Sequence, residues 1–197
     1  VTSSGKTQLY VELIREQLEK GSQALYLLPE IALTTQLISR LKNFFKHQVL
    51  VYHSKYNLNE RLEVWNHVIN AKEPYVIIGA RSAMLLPFQN LGLIIVDEEH
   101  ENSYKQYEPA PRYHARDVAL FLAHKHGGKT ILGSATPSVE SFYNARIGKY
   151  GLVTINSRYG DAQLPQMVFA DIRTEKKRKT ATGNFSSVLI EALGGIL

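Results

Sequence analysis

Four residues near the start of the chain, Ser4-Gly5-Lys6-Thr7, have the types and the order that bind a phosphate group. They match the end of the loop motif G-x-x-x-x-G-K-[ST], whose first glycine would stand immediately before residue 1. In such a loop, backbone N–H groups point at the phosphates, the lysine adds positive charge and the hydroxyl reaches Mg²⁺. An exposed turn before a helix would show the same tetrapeptide, so this segment alone leaves both readings open. The residues predicted to contact ATP are Thr2, Ser3, Ser4, Gly5, Lys6 and Thr7, with Thr7 also on the metal.

A second group of chemically active residues, Asp97-Glu98-Glu99-His100, follows an apolar run at 93–96. If that run is a strand of an α/β sheet, its carboxyl end lies beside the ligand crevice. We predict that Asp97 holds Mg²⁺ and that Glu98 orients and deprotonates the water that attacks the γ-phosphate. A turn that caps the next helix would also place acids here, but it would not explain the phosphate-loop residues. His100 is predicted to hydrogen-bond toward the γ-phosphate, with a plain polar neighbour as the alternative, and Glu99 has no assigned role.

Small hydroxyl residues follow another apolar run, at 129–132, in the segment Gly133-Ser134-Ala135-Thr136. At the end of a parallel strand they would lie at the same crevice as the acids. We predict that Ser134 and Thr136 couple the state of the γ-phosphate to a bound polymer by exchanging hydrogen bonds. They also suit the start of the following helix, since Thr136-Pro137 is typical of an N-cap followed by proline in the first helical position.

Short apolar runs alternate with helical periodicity along the first 160 residues. The runs are continuous, which is typical of strands buried on both faces of a parallel sheet, and they lie at 23–28, 48–52, 75–78, 92–96 and 129–132. Two segments between them have the spacing of helices that cover such a sheet: Leu33, Leu37, Ile38, Leu41, Phe44 and Phe45, then Leu58, Leu62, Trp65 and Ile69. Asn57 and Glu60 form a predicted capping box at the start of the second helix. The predicted fold class is α/β, a three-layer domain with a mostly parallel central sheet.

The composition is that of an ordinary globular protein, with 44% hydrophobic and 21% charged residues among 197. The chain has no cysteine, which excludes a disulfide framework and a thiolate metal site. No apolar run approaches the roughly 18 residues of a membrane span, and the start has no signal-peptide pattern, so we expect no membrane contact and a cytoplasmic location. The 23 basic residues exceed the 18 acidic ones only mildly, which slightly favours a polyanionic partner.

The alternation of strands and helices stops after about residue 159. Residues 173–179 include five basic residues and one acidic residue, which fits either a solvated connector or a nucleic-acid contact. Residues 185–193 have the spacing of one short amphipathic helix. We therefore predict a first domain at 1–160 and a connector with the truncated start of a second domain at 161–197.

Several segments, taken in order along nearly the whole chain, resemble the PriA family of replication-restart DNA helicases, also called primosomal protein N′. An Asp-Glu-x-His motif by itself indicates only a superfamily 2 helicase, whereas the Pro-Glu-Ile-Ala-Leu-Thr and Tyr-Lys-Gln segments are much narrower signatures. The segments that carry the resemblance are Ser4-Gly5-Lys6-Thr7, Pro29-Glu30-Ile31-Ala32-Leu33-Thr34, His53-Ser54, Gly79-Ala80-Arg81-Ser82-Ala83, Asp97-Glu98-Glu99-His100, Ser103-Tyr104-Lys105-Gln106, Arg112-Tyr113-His114-Ala115-Arg116-Asp117 and Gly133-Ser134-Ala135-Thr136-Pro137.

The resemblance implies a RecA-like P-loop NTPase domain, the first of two lobes in an ATP-driven 3′ to 5′ DNA helicase that acts at stalled replication forks and in primosome assembly. It implies ATP and Mg²⁺ as ligands, forked or single-stranded DNA as substrate, and primosome proteins and single-strand-binding protein as partners. Zinc is expected only in a second lobe, which would also supply an arginine finger. The chain by itself is therefore expected to be inactive or nearly so.

By the same resemblance, DNA is expected at the carboxyl edge of the sheet, against helix N-termini, an arginine and an aromatic-rich loop. For each tyrosine in that loop, packing in a half-buried position is an alternative to stacking on a base. Arg112 and Arg116 fit phosphate contacts or partners for Asp117 and Glu108, and His53 fits a structural role. The residues implied as DNA contacts are Pro29, Thr34, Gly79, Arg81, Ser82, Tyr104, Lys105, Arg112 and Tyr113.

Other functions fit parts of the sequence. A P-loop kinase would transfer the γ-phosphate to a small molecule, but no arginine-bearing lid segment follows and the acidic pair favours hydrolysis. A different superfamily 2 nucleic-acid translocase would share most of the motifs. The isolated chain would also suit a DNA-binding fragment without catalysis.

Overall fold

The computed structural model describes residues 5–53, 56–156 and 167–195, and the chain divides into two compact units, Val1–Tyr159 and Gly160–Leu197. The strands of the first unit are β1 (Gln23–Leu27), β2 (Val49–Tyr52), β3 (Val76–Gly79), β4 (Leu91–Asp97) and β5 (Lys129–Gly133). Its helices are α1 (Lys6–Glu19), α2 (Thr35–Phe45), α3 (Leu58–Asn70), α4 (Ala115–His126) and α5 (Val139–Arg146).

The five strands form one sheet in the order β2-β3-β1-β4-β5, and all four pairings are parallel. Each of the five predicted apolar runs is a strand of this sheet. In the register of the sheet, Leu27 pairs with Gly79 and Val96, and Asp97 pairs with Gly133. The carboxyl ends of β1, β3, β4 and β5 therefore lie along one edge, where the predicted chemical groups follow the strands.

Helices cover both faces of the sheet and complete the predicted three layers. On one face, residues of α1 and α2 pack on alternate residues of the strands, including Tyr10, Ile14, Leu41, Tyr26, Ile78 and Ile95. On the other face, residues of α3 and α4 pack on the intervening residues, including Val68, Ala119, Leu25, Ile77 and Ile94. Because successive side chains of a strand point to opposite faces, both halves of each continuous apolar run are buried.

The helix α3 forms where the sequence predicts it, but it presents a different face to the sheet. Its inner side consists of Val64 and Val68, with Val68 fully buried, and Ala71 at the C-cap continues it. The residues that define the predicted apolar stripe are exposed instead, by 80% at Leu58, 54% at Leu62, 40% at Trp65 and 44% at Ile69. Two adjacent apolar stripes run along this helix, and periodicity alone cannot show which one meets the sheet.

The predicted caps have different outcomes. The capping box of α3 is confirmed, because Glu60 N–H donates to Asn57 Oδ1 at 3.0 Å and Asn57 N–H donates to Glu60 Oε2 at 2.7 Å. The N-cap predicted at Thr136 is wrong, since α5 begins at Val139 and its N-cap is Ser138. Thr136 N–H donates to Ser134 Oγ at 2.9 Å, so a local turn ends before the helix begins.

In the second unit, the described residues 167–195 form two helices, α6 (Ile172–Arg178) and α7 (Ser187–Gly194). Asp171 caps α6 by accepting from Arg173 N–H, and Glu175 accepts from Ser187 N–H at 2.7 Å, which joins the two helices. The helix predicted at 185–193 corresponds to α7. Among the helices that the structure describes in either unit, none combines the length and the apolar character that crossing a bilayer requires.

Candidate nucleotide-binding site

The phosphate-loop residues that the structure describes lie at the start of α1. Gly5 is the N-cap and has a left-handed backbone with φ 80°, a conformation that favours glycine. Gln8 and Leu9 donate their N–H groups to Gly5 C=O, which begins the helical ladder. The N–H groups of Lys6 and Thr7 precede that ladder and have no acceptor within the helix, which is the arrangement by which a helix N-terminus binds an anion. Thr2, Ser3 and Ser4 lie outside the described residues.

Lys6 meets the two acids at the end of β4. Its Nζ donates to Glu98 Oε1 at 3.1 Å and lies 3.8 Å from Asp97 Oδ1. The lysine side chain is 18% exposed and Glu98 is 37% exposed, so solvent and ligands reach this pair from one side. Glu98 also has a positive φ of 47°, which turns the chain sharply after the strand. The fold thus brings together residues that lie 92 positions apart in the sequence.

Asp97 lies below this opening among tyrosine hydroxyl groups. Tyr10 Oη donates to its Oδ1 at 3.4 Å, Tyr26 Oη donates to its Oδ2 at 3.2 Å, and Tyr104 Oη donates to its backbone C=O at 2.7 Å. Burial raises the pKa of Asp97, while the nearby Lys6 ammonium opposes this change. Burial and the same carboxylate raise the pKa of Tyr10 and Tyr26, so both remain protonated donors.

Sequence reasoning missed the roles of Tyr10 and Tyr26. Tyr10 is on the inner face of α1, and Tyr26 is in a strand whose other residues, apart from Gln23, are apolar. The hydroxyl of a tyrosine in a fully buried strand needs a hydrogen-bond partner. This requirement was the signal in the sequence for a role of Tyr26. The partner itself, Asp97, could not be identified before the sheet order was known.

The predicted coupling residues meet His100. His100 Nδ1 lies 2.8 Å from Ser134 Oγ, and its Nε2 lies 3.4 Å from Thr136 Oγ1. The Nδ1 atom is also 3.7 Å from Glu98 Oε2. The structure therefore links Glu98 to the segment after β5 through one imidazole ring.

Glu99 had no predicted role, and its side chain is only 1% exposed. Its carboxylate accepts hydrogen bonds from Ser138 N–H at 2.6 Å, Ser141 Oγ at 2.9 Å and Arg116 Nη1 at 3.3 Å. Burial alone would raise the pKa of Glu99, but these hydrogen bonds outweigh burial and hold that pKa below its usual range. The sequence left two roles open for Arg116, a phosphate contact or a partner for a carboxylate. The structure shows two carboxylate partners, Glu99 and the predicted Asp117.

The residues implied as DNA contacts lie at the carboxyl edge of the sheet, and several of them support the backbone there. Arg81 Nη1 donates to Ser103 C=O at 3.0 Å and to Lys105 C=O at 2.7 Å, so its guanidinium holds the loop after β4. Tyr113 Oη donates to Arg81 C=O at 3.4 Å. Tyr104 is 1% exposed, and its ring belongs to the core instead of being available to a base.

The remaining members of that set differ in exposure. Thr34 is exposed and caps α2 by accepting from Leu37 N–H, whereas Pro29 is buried. Arg112 is exposed and pairs with Glu108 at 3.1 Å, and Lys105 Nζ donates to Arg112 C=O. The other two are Gly79, where a Cβ would stand 2.6 Å from Tyr52 C=O, and Ser82, whose buried Oγ has no hydrogen-bond partner among the described residues.

The groups at this edge fit a magnesium nucleotide as ligand. Within the described ranges, no three histidine, aspartate or glutamate side chains gather into a metal site made of protein alone. Magnesium bound with a nucleotide takes most of its ligands from phosphates and water and needs only one or two from the protein. Two residues are suitable as these protein ligands of magnesium. They are Thr7 at the start of α1 and Asp97, whose carboxylate lies beside Lys6.

The fold and this arrangement define a RecA-like α/β domain with a lysine and two carboxylates at its ligand edge. Residues 1–144 match the DEAD/DEAH box helicase family, and the chain belongs to that family.

Several relatives are named "Replication restart protein PriA". The protein of Bacillus subtilis (strain 168) is 45% identical over 193 residues, which are 98% of this chain and 24% of that protein. The protein of Rickettsia conorii is 43% identical over 197 residues, which are 100% of this chain and 30% of that protein. The chain therefore spans less than a third of the length of these relatives, and the resemblance to the PriA family is confirmed.

Solved structures confirm the fold. RecG bound to a three-way DNA junction matches with a TM-score of 0.57 and 21% identity, over 81% of this chain and 20% of that chain. The DEAD-box helicase Mss116 bound to ssRNA and UDP-BeF matches with a TM-score of 0.50 and 15% identity, over 81% of this chain and 31% of that chain.

Proposed function

We propose that the chain is the ATP-binding lobe of a DNA-dependent ATPase and 3′ to 5′ DNA helicase that acts in the restart of stalled replication forks. The observation that carries the proposal is the position of Lys6 Nζ, 3.1 Å from Glu98 Oε1 and 3.8 Å from Asp97 Oδ1. A lysine, a metal-binding carboxylate and a base at one strand edge suit ATP hydrolysis. Similarity to the PriA proteins supports the role in replication restart.

In this proposal MgATP is the substrate, and its metal ion neutralises charge on the phosphates. The backbone at residues 2–7 binds the phosphates, and Lys6 adds a positive charge beside them. Thr7 and Asp97 would hold the metal, while the hydroxyls of Tyr10 and Tyr26 fix the orientation of the Asp97 carboxylate. Glu98 accepts the proton of the attacking water.

The contacts of His100 support its proposed part in coupling. The ring lies between Glu98 and the hydroxyls of Ser134 and Thr136, so a change at the γ-phosphate reaches the end of β5 through a single side chain. By such an exchange of hydrogen bonds, the presence or loss of the γ-phosphate changes the favoured position of a neighbouring segment.

Forked or single-stranded DNA is the proposed polymer, at the carboxyl edge of the sheet. The exposed Thr34 and Arg112 would contact phosphates, and so would the half-buried Lys105, whose ammonium keeps two further donors besides its bond to Arg112 C=O. Arg81, Tyr104 and Tyr113 act beneath that surface by holding the loop, because Arg81 Nη1 and the two tyrosine hydroxyls already donate to backbone carbonyls. The residues that shape the turns of this surface are Pro29, Gly79 and Ser82.

The rest of the intact protein is part of the same proposal. Residues 1–160 would form the first helicase lobe and residues 161–197 a connector that leads into a second lobe. Primosome proteins and single-strand-binding protein are the proposed partners, and the cytoplasm is the proposed location, since bacterial DNA lies there.

The test is hydrolysis of ATP by the intact protein with and without forked DNA, together with strand separation. We expect Lys6→Ala to lower the DNA-stimulated rate about a hundredfold, or roughly 3 kcal/mol, because it removes one charge-stabilising group. Lys20→Ala is the matched control: Lys20 is exposed, pairs with Glu16 at the far end of α1, and should leave the rate unchanged. Near-normal hydrolysis by Lys6→Ala would contradict the proposed site. Transfer of phosphate to a small molecule, without DNA-stimulated phosphate release, would support a kinase instead.

A further inference from the structure

One buried residue, Glu99, holds both ends of the segment 134–137. Its backbone N–H donates to Gly133 C=O at 3.0 Å, immediately before the segment. Its Oε1 accepts from Ser138 N–H at 2.6 Å and its Oε2 accepts from Ser138 Oγ at 3.0 Å, immediately after the segment. With both ends bound to one residue, a segment of four residues has little freedom to move.

The held segment carries the two hydroxyls that meet His100. Ser134 Oγ lies 2.8 Å from Nδ1 of that ring and Thr136 Oγ1 lies 3.4 Å from Nε2. Hydrogen bonds of this kind weaken steeply when their geometry changes, so the two contacts depend on where the segment lies. The position of the segment in turn depends on the Glu99 carboxylate.

Arg116 connects the same carboxylate to a different element. Its Nη1 donates to Glu99 Oε2 at 3.3 Å and to Ser138 Oγ at 2.7 Å, and its side chain is only 14% exposed. A carboxylate as buried as Glu99 requires such a charged partner. Arg116 is in the first turn of α4, directly after the loop that ends at Tyr113.

We propose that Glu99 and Arg116 are positioning residues, which hold the segment 134–137 against His100 and make its position depend on the loop 104–113. The dependence on that loop rests on the proposed function, because the loop is the proposed DNA surface. The hold on the segment itself rests only on the contacts of Glu99. In this arrangement, a displacement of α4 by DNA shifts Arg116, then Ser138, and then the hydroxyls that contact His100.

The test uses the intact protein with Glu99→Gln, which keeps the shape of the side chain and removes its charge. The matched control is Glu140→Gln, because Glu140 is an exposed carboxylate 4.0 Å from the same Arg116 Nη1 and does not touch the held segment. The first measurement is amide hydrogen exchange at residues 134–138 without ATP or DNA. We expect exchange there to be about tenfold faster in Glu99→Gln, from local opening, and unchanged in Glu140→Gln.

The second measurement is the ratio of DNA-stimulated to basal ATP hydrolysis. We expect this ratio to fall about tenfold in Glu99→Gln, in the range of single-residue effects on coupling, and to stay unchanged in Glu140→Gln. Arg116→Lys keeps the charge but loses the planar fork, so it should change both measurements in the same direction and serves if Glu99→Gln fails to fold.

Unchanged exchange at residues 134–138 would overturn the proposed hold, and so would an equal acceleration across the whole chain, which would mark Glu99 as a general stability residue. An unchanged ratio together with faster local exchange would overturn the proposed dependence on DNA. If the unaltered protein shows no DNA-stimulated hydrolysis, the proposed function fails, while the exchange measurement still decides whether Glu99 holds the segment.

Discussion

The position of the Asp97 carboxylate depends on contacts with neighbouring residues. Two tyrosine hydroxyls and the Glu98 N–H donate to its carboxylate, so its orientation is set by the protein itself. Lys6 supplies one positive charge against the two negative charges of Asp97 and Glu98. The cluster therefore keeps a net negative charge, which favours a bound cation.

Gly133 provides a residue-scale prediction, because it leaves room for the hydroxyl of Tyr10. A Cβ at this position would stand 1.8 Å from Tyr10 Oη and 3.4 Å from Asp97 Oδ1. We expect Gly133→Ala to lower the free energy of unfolding by about 1–3 kcal/mol, the usual cost of overpacking. Chemical denaturation measures this change, and adding Tyr10→Phe should recover part of it because the clashing oxygen is removed.

Gly151→Ala is the control for that prediction, since a Cβ there meets nothing within 4 Å. It should leave the free energy of unfolding nearly unchanged. Equal effects of the two alanine substitutions would contradict the close approach of Tyr10 to Gly133.

At the scale of elements, α3 places its largest apolar side chains outward. The small residues Val64, Val68 and Ala71 occupy the space against the sheet, while Leu62 and Trp65 remain exposed. An element can therefore be correctly predicted from its periodicity while its buried face is not. The size of the side chains decides which of the two stripes faces the sheet, because protein interiors are packed to crystal-like density.

The orientation of α3 predicts unequal effects of two substitutions. Val68→Ala should lower the free energy of unfolding by about 2 kcal/mol, since it removes buried methyl groups and leaves a cavity. Trp65→Ala removes a far larger side chain that is 40% exposed, and it should cost less than Val68→Ala per atom removed. Denaturant titrations of both variants check this, and the reverse order would show that the other stripe faces the sheet.

The start of α4 has a pH-sensitive cap. His114 is its N-cap, and its Nδ1 accepts from Arg116 N–H at 3.2 Å, which requires that nitrogen to be unprotonated. Burial lowers the pKa of His114, with Arg116 and Lys105 acting in the same direction and Asp117 and Glu99 opposing them.

Because the folded pKa of His114 is lowered, the unfolded chain binds the proton more tightly. The stabilisation is therefore complete above the ordinary histidine pKa of about 6.5 and decreases as the pH falls from there toward the lower folded value. We expect His114→Asn, which keeps a capping acceptor that does not titrate, to lose less stability than the unaltered protein between pH 7.5 and 5.5. Denaturant titrations at both pH values measure the difference, and identical losses would contradict the role of His114.

At the scale of the whole molecule, the proposed function makes the chain one side of a larger catalytic assembly. It spans 24% of the Bacillus subtilis relative, and the family resemblance implies that a second lobe supplies an arginine finger. The proposed DNA surface and the proposed nucleotide site both lie along the carboxyl edge of a single sheet. We therefore expect that the chain can bind each ligand without hydrolysing ATP.

This separation predicts how the 197-residue chain behaves by itself. We expect weak binding of single-stranded DNA, with a slope of log affinity against log salt near −2 if about three phosphates are contacted, at roughly 0.7 per phosphate. We also expect negligible ATP hydrolysis, because no second lobe completes the site. Fluorescence anisotropy over a salt series and a phosphate-release assay test these expectations. Binding that ignores salt, or robust DNA-stimulated turnover, would contradict them.

Local properties of the sequence were sufficient to determine the class of fold. Continuous apolar runs identified all five strands, since a parallel sheet buries both faces of each strand. The motifs at residues 4–7, 97–100 and 133–136 indicated the chemistry, because the order of residue types within a turn is itself the requirement for binding phosphate or metal. The capping box at Asn57 and Glu60 was predictable for the same reason: its bonds join residues three positions apart.

Only the tertiary structure decided which distant groups meet. The contact of Lys6 with Glu98 joins α1 to β4, and the contacts of Glu99 with Arg116 and Ser138 join β4 to α4 and α5. For the same reason, the sequence left three features undecided. These are the burial of the Tyr104 ring, the partners of Arg116 and the face of α3 that packs on the sheet. Each depends on how elements pack across tens of residues, and a side chain that can satisfy two environments takes the one that the packing leaves available.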